Sequence, residues 1–375
     1  MYRKRVEDMK RNSNIELLRI IAMLFIVLSH YTIHNGISNY MLPIGFNRFL
    51  LETTTLGNIG VIIFILITGY FSIDKEKVFS FKKLFLLYFQ VLFYSLIIYL
   101  IFILINKENF TINSLLKNLL PISYNNYWFI NVYIVLYIFS PYINIFVNSL
   151  KRKQLLIFII LSLLLFSLLP MININPNYTN EFIQFIMFYI IGAYLKKYKD
   201  NFFTKGKNSK IVLIITSSIL IFSVIFFDII GTKIPFISEH STYLYKRDSI
   251  ISILFAVSLF SLFLKKKDKK DRIINSLSSC VLGVYLISDN YLVRNVLWTE
   301  ILNISYFVNS NLLILHMLLS LVGVFTCCII IDYIRIKTID KIVCDFYLKL
   351  RNIGVYHKIK SYFDYIFKKI SGCEL

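Results

Sequence analysis

The sequence predicts an all-helical integral membrane protein that crosses the bilayer about ten times with both ends on one side. Three observations carry that expectation. Hydrophobic residues make up 57% of the chain, with 34 Phe and 26 Tyr, and the mean hydropathy is +0.67. A water-soluble fold has no interior large enough for so much apolar surface. Apolar windows long enough to span a bilayer recur along the chain, ten in all. Charge then alternates between them. Of the 41 Lys and Arg, 33 fall in alternate connections and the two ends, six fall in the intervening connections, and two (Arg19 and Arg294) lie inside windows. Positive charge collects on the cytoplasmic side, so both termini are expected in the cytoplasm and the protein in the plasma membrane.

The first window, 15–34, follows a basic stretch containing Arg3, Lys4, Arg5, Lys10 and Arg11. That has the outline of a signal peptide, but "SHYTIHNG" offers no small-residue cleavage site, so the segment reads as an uncleaved first span. Windows at 56–73, 84–105, 127–147 and 154–172 supply the next four, and 56–73 is short. The sixth, 180–195, is also short; 211–230 and 248–264 follow; 276–298 is interrupted by polar residues; 311–334 closes the set. No connection is long enough for an inserted soluble domain, so residues 1–335 form one transmembrane domain and any chemistry occurs among its helices. The tail 336–375 is basic with spaced aromatics and reads as an amphipathic helix on the anionic inner leaflet.

Composition also excludes some functions. The net charge of +20 is distributed in short clusters between apolar runs, which marks topology and not a nucleic-acid-binding face. Cys280, Cys327, Cys328, Cys344 and Cys373 have no paired metal-type spacing, and neither a disulfide framework nor a metal site is expected from them. Cys373, third from the end, does not make a prenylation box.

Ionisable side chains inside spans are costly, about 2.5–3.5 kcal/mol each on insertion scales, and mark function by default. Here they are Glu16, Arg19, His30, Asp228, Asp289, Arg294 and His316. Asp228 reads as a helix-end residue and His316 as an interfacial one. In "RIIAMLFIVLSH", eleven helical steps make three turns plus about 20°, so Arg19 and His30 share a face, roughly 16 Å apart along the axis. Arg19 and Glu16 have the spacing of an i,i+3 ion pair, and His30 has that of an interhelical hydrogen-bonding residue. Structural and functional readings of these residues both stand at this point.

The wider passage "NSNIELLRIIAMLFIVLSHY" resembles the first span of the membrane-bound acyltransferase-3 family, in which an arginine, ten residues and a histidine recur; here they are Arg19 and His30. "GNIGVIIFILITGYF" resembles the family's second span, ending at Thr68, Gly69 and Tyr70. "NNYWFINVYIVLYIFSPYIN" is similar to its Trp-Phe segment ending in proline, with Trp128 and Pro141, and "LGVYLISDNYLVRNVLW" is similar to its Gly-x-Tyr-Leu-Ile segment. The resemblance covers about residues 12 to 334. Two departures stand out. Where the family commonly has arginines before and within span 3, this chain has Lys82 and Lys83, which meet a phosphate as point charges without arginine's fork. Where the family often continues Tyr-Leu-Ile-His, this chain has Ser288, then Asp289 and Asn290.

The resemblance implies O-acyl transfer, usually of acetyl, from cytoplasmic acyl-CoA to a hydroxyl of a cell-envelope glycan or its lipid-linked precursor. Acetyl-CoA is then a donor substrate; no permanently bound cofactor and no nucleic-acid partner is expected. Arg19, Lys82 and Lys83 are the donor-binding candidates at the inner face. His30 is the expected general base, since imidazole titrates near neutrality. Tyr127, Trp128 and Asp289 are acceptor-side candidates, the two aromatics competing with an aromatic-belt reading. The rival classes are a polysaccharide polymerase or flippase and a small-acid transporter. A polymerase is disfavoured because the longest outer connection, 106–126, carries only Lys107 and Lys117. High Asn, Ile and Lys with only 12 Gly point to a bacterial source rich in A and T.

Overall fold

The structure, a computed structural model, describes residues 12–37, 42–74, 80–172, 180–352, 361, 362 and 365. The basic stretch before residue 12, Cys373 and most of the tail beyond 352 lie outside the described residues. Every regular element among them is helical. In chain order these are α1 (Ser13–Ile33), α2 (Phe46–Thr53), α3 (Gly57–Ser72), α4 (Phe81–Leu104), α5 (Ile112–Leu119), α6 (Trp128–Ser149), α7 (Arg152–Leu163), α8 (Glu181–Lys197), α9 (Gly206–Gly231), α10 (Ile250–Leu264), α11 (Arg272–Ser279), α12 (Val281–Ser288), α13 (Tyr291–Asn295) and α14 (Leu313–Arg351). Among the described residues, eight helices are long and apolar enough to cross a membrane, counting α2 with α3 and α7 through to Met171. The pair Arg272–Ser288 and Tyr291–Tyr306, bent by 73°, makes a ninth when its two halves are counted as one broken span. The 17-residue α8 occupies the sixth window, short as the sequence indicated.

Local chemistry sets the helix starts. Asn12, Ser80 and Asn180 stand at the N-caps of α1, α4 and α8, their side-chain oxygens accepting from the amides of Asn14, Lys83 and Ile183. Pro141 lies inside α6 and cannot donate to the Tyr137 carbonyl; the Ser140 hydroxyl takes that acceptor instead, at 2.8 Å. The basic segment from 336 begins as a direct continuation of the last span, since α14 runs unbroken to Arg351.

Packing is tightest where α3 meets α8. A Cβ added at Gly69 would collide with the Tyr189 carbonyl, and one at Gly192 with the Leu66 carbonyl. Glycine at both places lets the two backbones touch, which in lipid substitutes dispersion contact for the missing hydrophobic drive. Around them Phe185, Phe188, Tyr189, Ile62 and Ile63 are fully buried. The outer helix α9 shows the opposite pattern, with Ile214, Phe222, Phe226 and Ile229 exposed, as lipid-facing residues must be.

Buried charges tie helices together. Arg48 on α2 meets Glu52 at 3.2 Å, Asp228 on α9 at 2.5 Å and Ser238 at 2.7 Å. Asp228 does lie in the last turn of α9, and its carboxylate is spent on that cluster. Asp332 on α14 accepts from Tyr94 of α4 at 2.7 Å and from Arg335 at 2.7 Å. His316 stacks on Phe307 with ring centroids 4.1 Å apart, and its Nδ1 is 2.8 Å from the Tyr31 hydroxyl.

Candidate active site

One cavity of about 580 Å³ runs along α1. Arg19, Met23, Ile26, His30 and His34 line it in succession, at the three- and four-residue steps of one helix face. Lys83 from α4 and Ser278 and Ser279 from α11 also line it, as do Trp128 from α6 and Asp289 and Arg294 from the bent span. Arginine and histidine eleven residues apart thus open onto the same space.

At the Arg19 end the geometry is an ion pair held from behind. Arg19 Nη1 lies 3.2 Å and 3.3 Å from the two Glu16 oxygens. Glu16 is buried, and the Ser278 hydroxyl donates to its Oε2. Arg19 therefore pairs with Glu16 and also lines the cavity. The start of α1 is itself tied to the basic loop before α11. The Ser13 amide donates to Lys269 O at 2.9 Å, and Asn14 Nδ2 donates to Lys267 O at 2.8 Å. Asp271, outside the membrane-spanning segments, caps α11; the Ile274 amide and then Lys269 hold its carboxyl below the ordinary range.

At the other end two imidazoles converge on one acid. Asp289 Oδ1 is 3.8 Å from His30 Nε2, 3.5 Å from His34 Nε2 and 3.7 Å from Arg294 Nη1. These are ion-pair distances, and neither this oxygen nor His30 Nδ1, both buried, makes a hydrogen bond to any described residue. The bend in the span makes the meeting possible. Helix α12 stops at Ser288, Asp289 occupies the break, and Asn290 caps α13 by accepting from the Leu292 amide at 3.0 Å.

The ligating atoms of His30, His34 and Asp289 all lie within 4.8 Å of one another, a set able to hold a divalent ion. Tetrahedral zinc with bonds of about 2.0–2.1 Å needs ligand atoms roughly 3.4 Å apart, near the two His–Asp separations. The Arg294 cation beside Asp289 works against a further positive charge. Nothing in the residue spacing along the chain announced this set, because Asp289 reaches it only through the fold.

The remaining candidates divide. Lys82 and Lys83 are both exposed, and of the two only Lys83 lines the cavity. Trp128 lines the cavity, with the Arg247 guanidinium stacked 4.7 Å from its ring centre. Tyr127 lies apart from it: fully buried, its hydroxyl donates to Leu286 O at 3.0 Å and accepts from Asn290 Nδ2 at 2.7 Å. It stitches the two sides of the helix break together and offers no surface to a ligand.

Residues 12–333 match a family described as an acyltransferase domain. No curated protein and no solved structure matches the chain.

Proposed function

The chain belongs to acyltransferase family 3, and on that premise we propose that it moves an acyl group, acetyl in the first instance, from cytoplasmic coenzyme A to a hydroxyl of a cell-envelope glycan. The observation that carries this reading is that one cavity joins Arg19 and Lys83 to His30. A polyanionic donor is met by cations at one end, and a base awaits the acceptor at the other. Both termini are taken to be cytoplasmic on the strength of the Lys and Arg distribution, which puts the Arg19 end inward and the His30 end outward.

In the proposed reaction the acceptor hydroxyl loses its proton to His30 Nε2 as its oxygen attacks the thioester carbonyl. The carbon–sulfur bond then breaks, and the departing thiolate takes the proton back from the imidazolium. Asp289 offsets the positive charge that His30 carries between these steps. General-base help of this kind contributes about 10²–10⁴-fold. Arg19, steadied by Glu16, binds donor phosphate or carbonyl oxygen through its planar fork.

The test supplies radiolabelled acetyl-CoA to inside-out membrane vesicles containing the protein and follows label into surface glycan. Label in the glycan as alkali-labile ester is the expected result. Movement of glycan without label would favour a polymerase or flippase, and uptake of a small acid without donor turnover would favour a carrier.

A further inference from the structure

A second cavity, of about 250 Å³, adjoins the first. Ser29, Ile33 and Asn58 line both, so these side chains are the partition between them. The second cavity lies off the His30 end of α1, where Thr32 and Ile37 also line it. Its walls differ in kind. The first is walled largely by residues such as Met23, Val61, Phe64 and Leu84, whereas the second is rich in hydroxyl and amide groups.

Polar groups inside a helical membrane protein ordinarily satisfy one another, and several here do. Thr32 donates to Leu28 O at 3.0 Å, Thr55 to Glu52 O at 2.7 Å, and Glu52 is held by Arg48 and by Ser241. Other groups are left over, among them Glu52 Oε2, buried without a hydrogen-bond partner among the described residues. Ser29 is 4% exposed and Tyr245 is 2% exposed, yet neither hydroxyl hydrogen-bonds to any described residue. Asn58 donates from Nδ2 to Tyr245 O at 3.3 Å and keeps its carbonyl oxygen unengaged among them. Gly57 makes room for the Ser29 side chain, since a Cβ there would fall 2.7 Å from Ser29 Cβ and 2.8 Å from its Oγ. Space has been kept for a buried hydroxyl that the protein itself does not use, one residue before His30.

We propose that this second cavity is the acceptor subsite and that it takes one ring of a neutral sugar. The reacting hydroxyl would enter the partition between Ser29 and Asn58, beside His30. The idea rests on the acyltransferase reading above and names its acceptor class. Hydroxyls both donate and accept, so Ser29 and Tyr245 suit a ligand whose own groups are hydroxyls, and the Asn58 oxygen suits a donor among them. Two carboxylates, Glu52 and Glu239, line the cavity against one ammonium, Lys246, which selects against an anionic ligand. Its volume is below the roughly 300–1,000 Å³ of sites for drug-sized molecules, so it holds a ring and not a chain.

The experiment uses full-length protein in nanodiscs, with Tyr245→Phe and Asn58→Ala as variants. Tyr245→Phe removes an oxygen and keeps the ring, so unchanged thermal stability certifies its fold. Binding of tritiated methyl glycosides by equilibrium dialysis, acetyl-CoA binding, and the acceptor KM for acetyl transfer are measured side by side. Losing one hydrogen bond should weaken glycoside binding and raise the acceptor KM about tenfold, with acetyl-CoA affinity unchanged. Unchanged glycoside affinity in both variants, or no glycoside binding by the wild type, overturns the proposal. An equal loss of acetyl-CoA affinity overturns it too, giving the cavity to the donor. Glycoside binding that depends on Tyr245 without any transfer would remove the acyltransferase mechanism and leave this subsite standing. Transfer with inert cavity variants would do the reverse.

Discussion

Asp289 stands closer to His34 than to His30, 3.5 Å against 3.8 Å, so two imidazoles one turn apart on α1 share a single carboxylate. The arrangement makes His34 part of the same electrostatic unit as the proposed base, although it lies a turn further along the helix. Arg294, 3.7 Å from the same oxygen, completes a group in which one anion serves three cationic or potentially cationic neighbours.

His30→Ala is expected to lower glycan acetylation by about 10²–10⁴-fold, the usual worth of a general base, while the protein still inserts and folds. His34→Ala should lose less, because it removes a neighbour of Asp289 and not the proposed proton acceptor. Both are read by label transfer in vesicles. Wild-type transfer by the His30 variant would move the base elsewhere, and a greater loss at His34 would exchange their roles.

Asp289→Asn keeps the size of the side chain and removes its charge. Without the anion, an imidazolium at His30 has His34 and Arg294 beside it and no counter-charge, so kcat should fall while acetyl-CoA affinity holds. Equal falls in kcat and donor affinity would show that Asp289 shapes the cavity as a whole.

Arg19→Lys keeps the charge and loses the two-pronged contact, so the apparent KM for acetyl-CoA should rise with acceptor KM little altered. Glu16→Gln should give a smaller rise, since it loosens Arg19 without removing it. If lysine serves freely and the Glu16 and Arg19 neutral variants suffer alike, the pair is structural and the donor grip lies elsewhere.

Tyr127→Phe is expected to cost stability and spare acceptor affinity. The change leaves the Leu286 carbonyl and the Asn290 amide without their buried partner, a loss of about 1–3 kcal/mol per group. A lower melting temperature in detergent with an unaltered acceptor KM is the signature. A raised acceptor KM at unchanged stability would return Tyr127 to the acceptor surface.

Much of the helical plan was legible because apolar length and charge alternation act along the chain itself. Arg19 and His30 could be put on one face because α1 is regular between them. What a helical face cannot reveal is which neighbour it meets. Asp289 joined His30 and His34 through a break whose only trace in the sequence was the polar run Ser288, Asp289 and Asn290 inside an apolar window. Tyr127 looked like a surface aromatic because the break it closes lies on another span. Asp332 escaped notice near the end of the last window, where a carboxylate resembles a flank, yet it is fully buried on Tyr94 and Arg335.

Gly69 and Gly192 have an evolutionary meaning as well as a mechanical one. Where α3 and α8 touch backbone to backbone, there is no side chain to exchange, so that contact has almost no freedom to drift. Beside Arg19, His30 and Asp289, the faces turned toward the two cavities carry side chains such as Met23, Val61 and Ile37 that other apolar residues can replace. A protein built this way can change what it accepts by exchanging wall residues while its central helix pair stays fixed, and new specificities can arise without the scaffold being rebuilt.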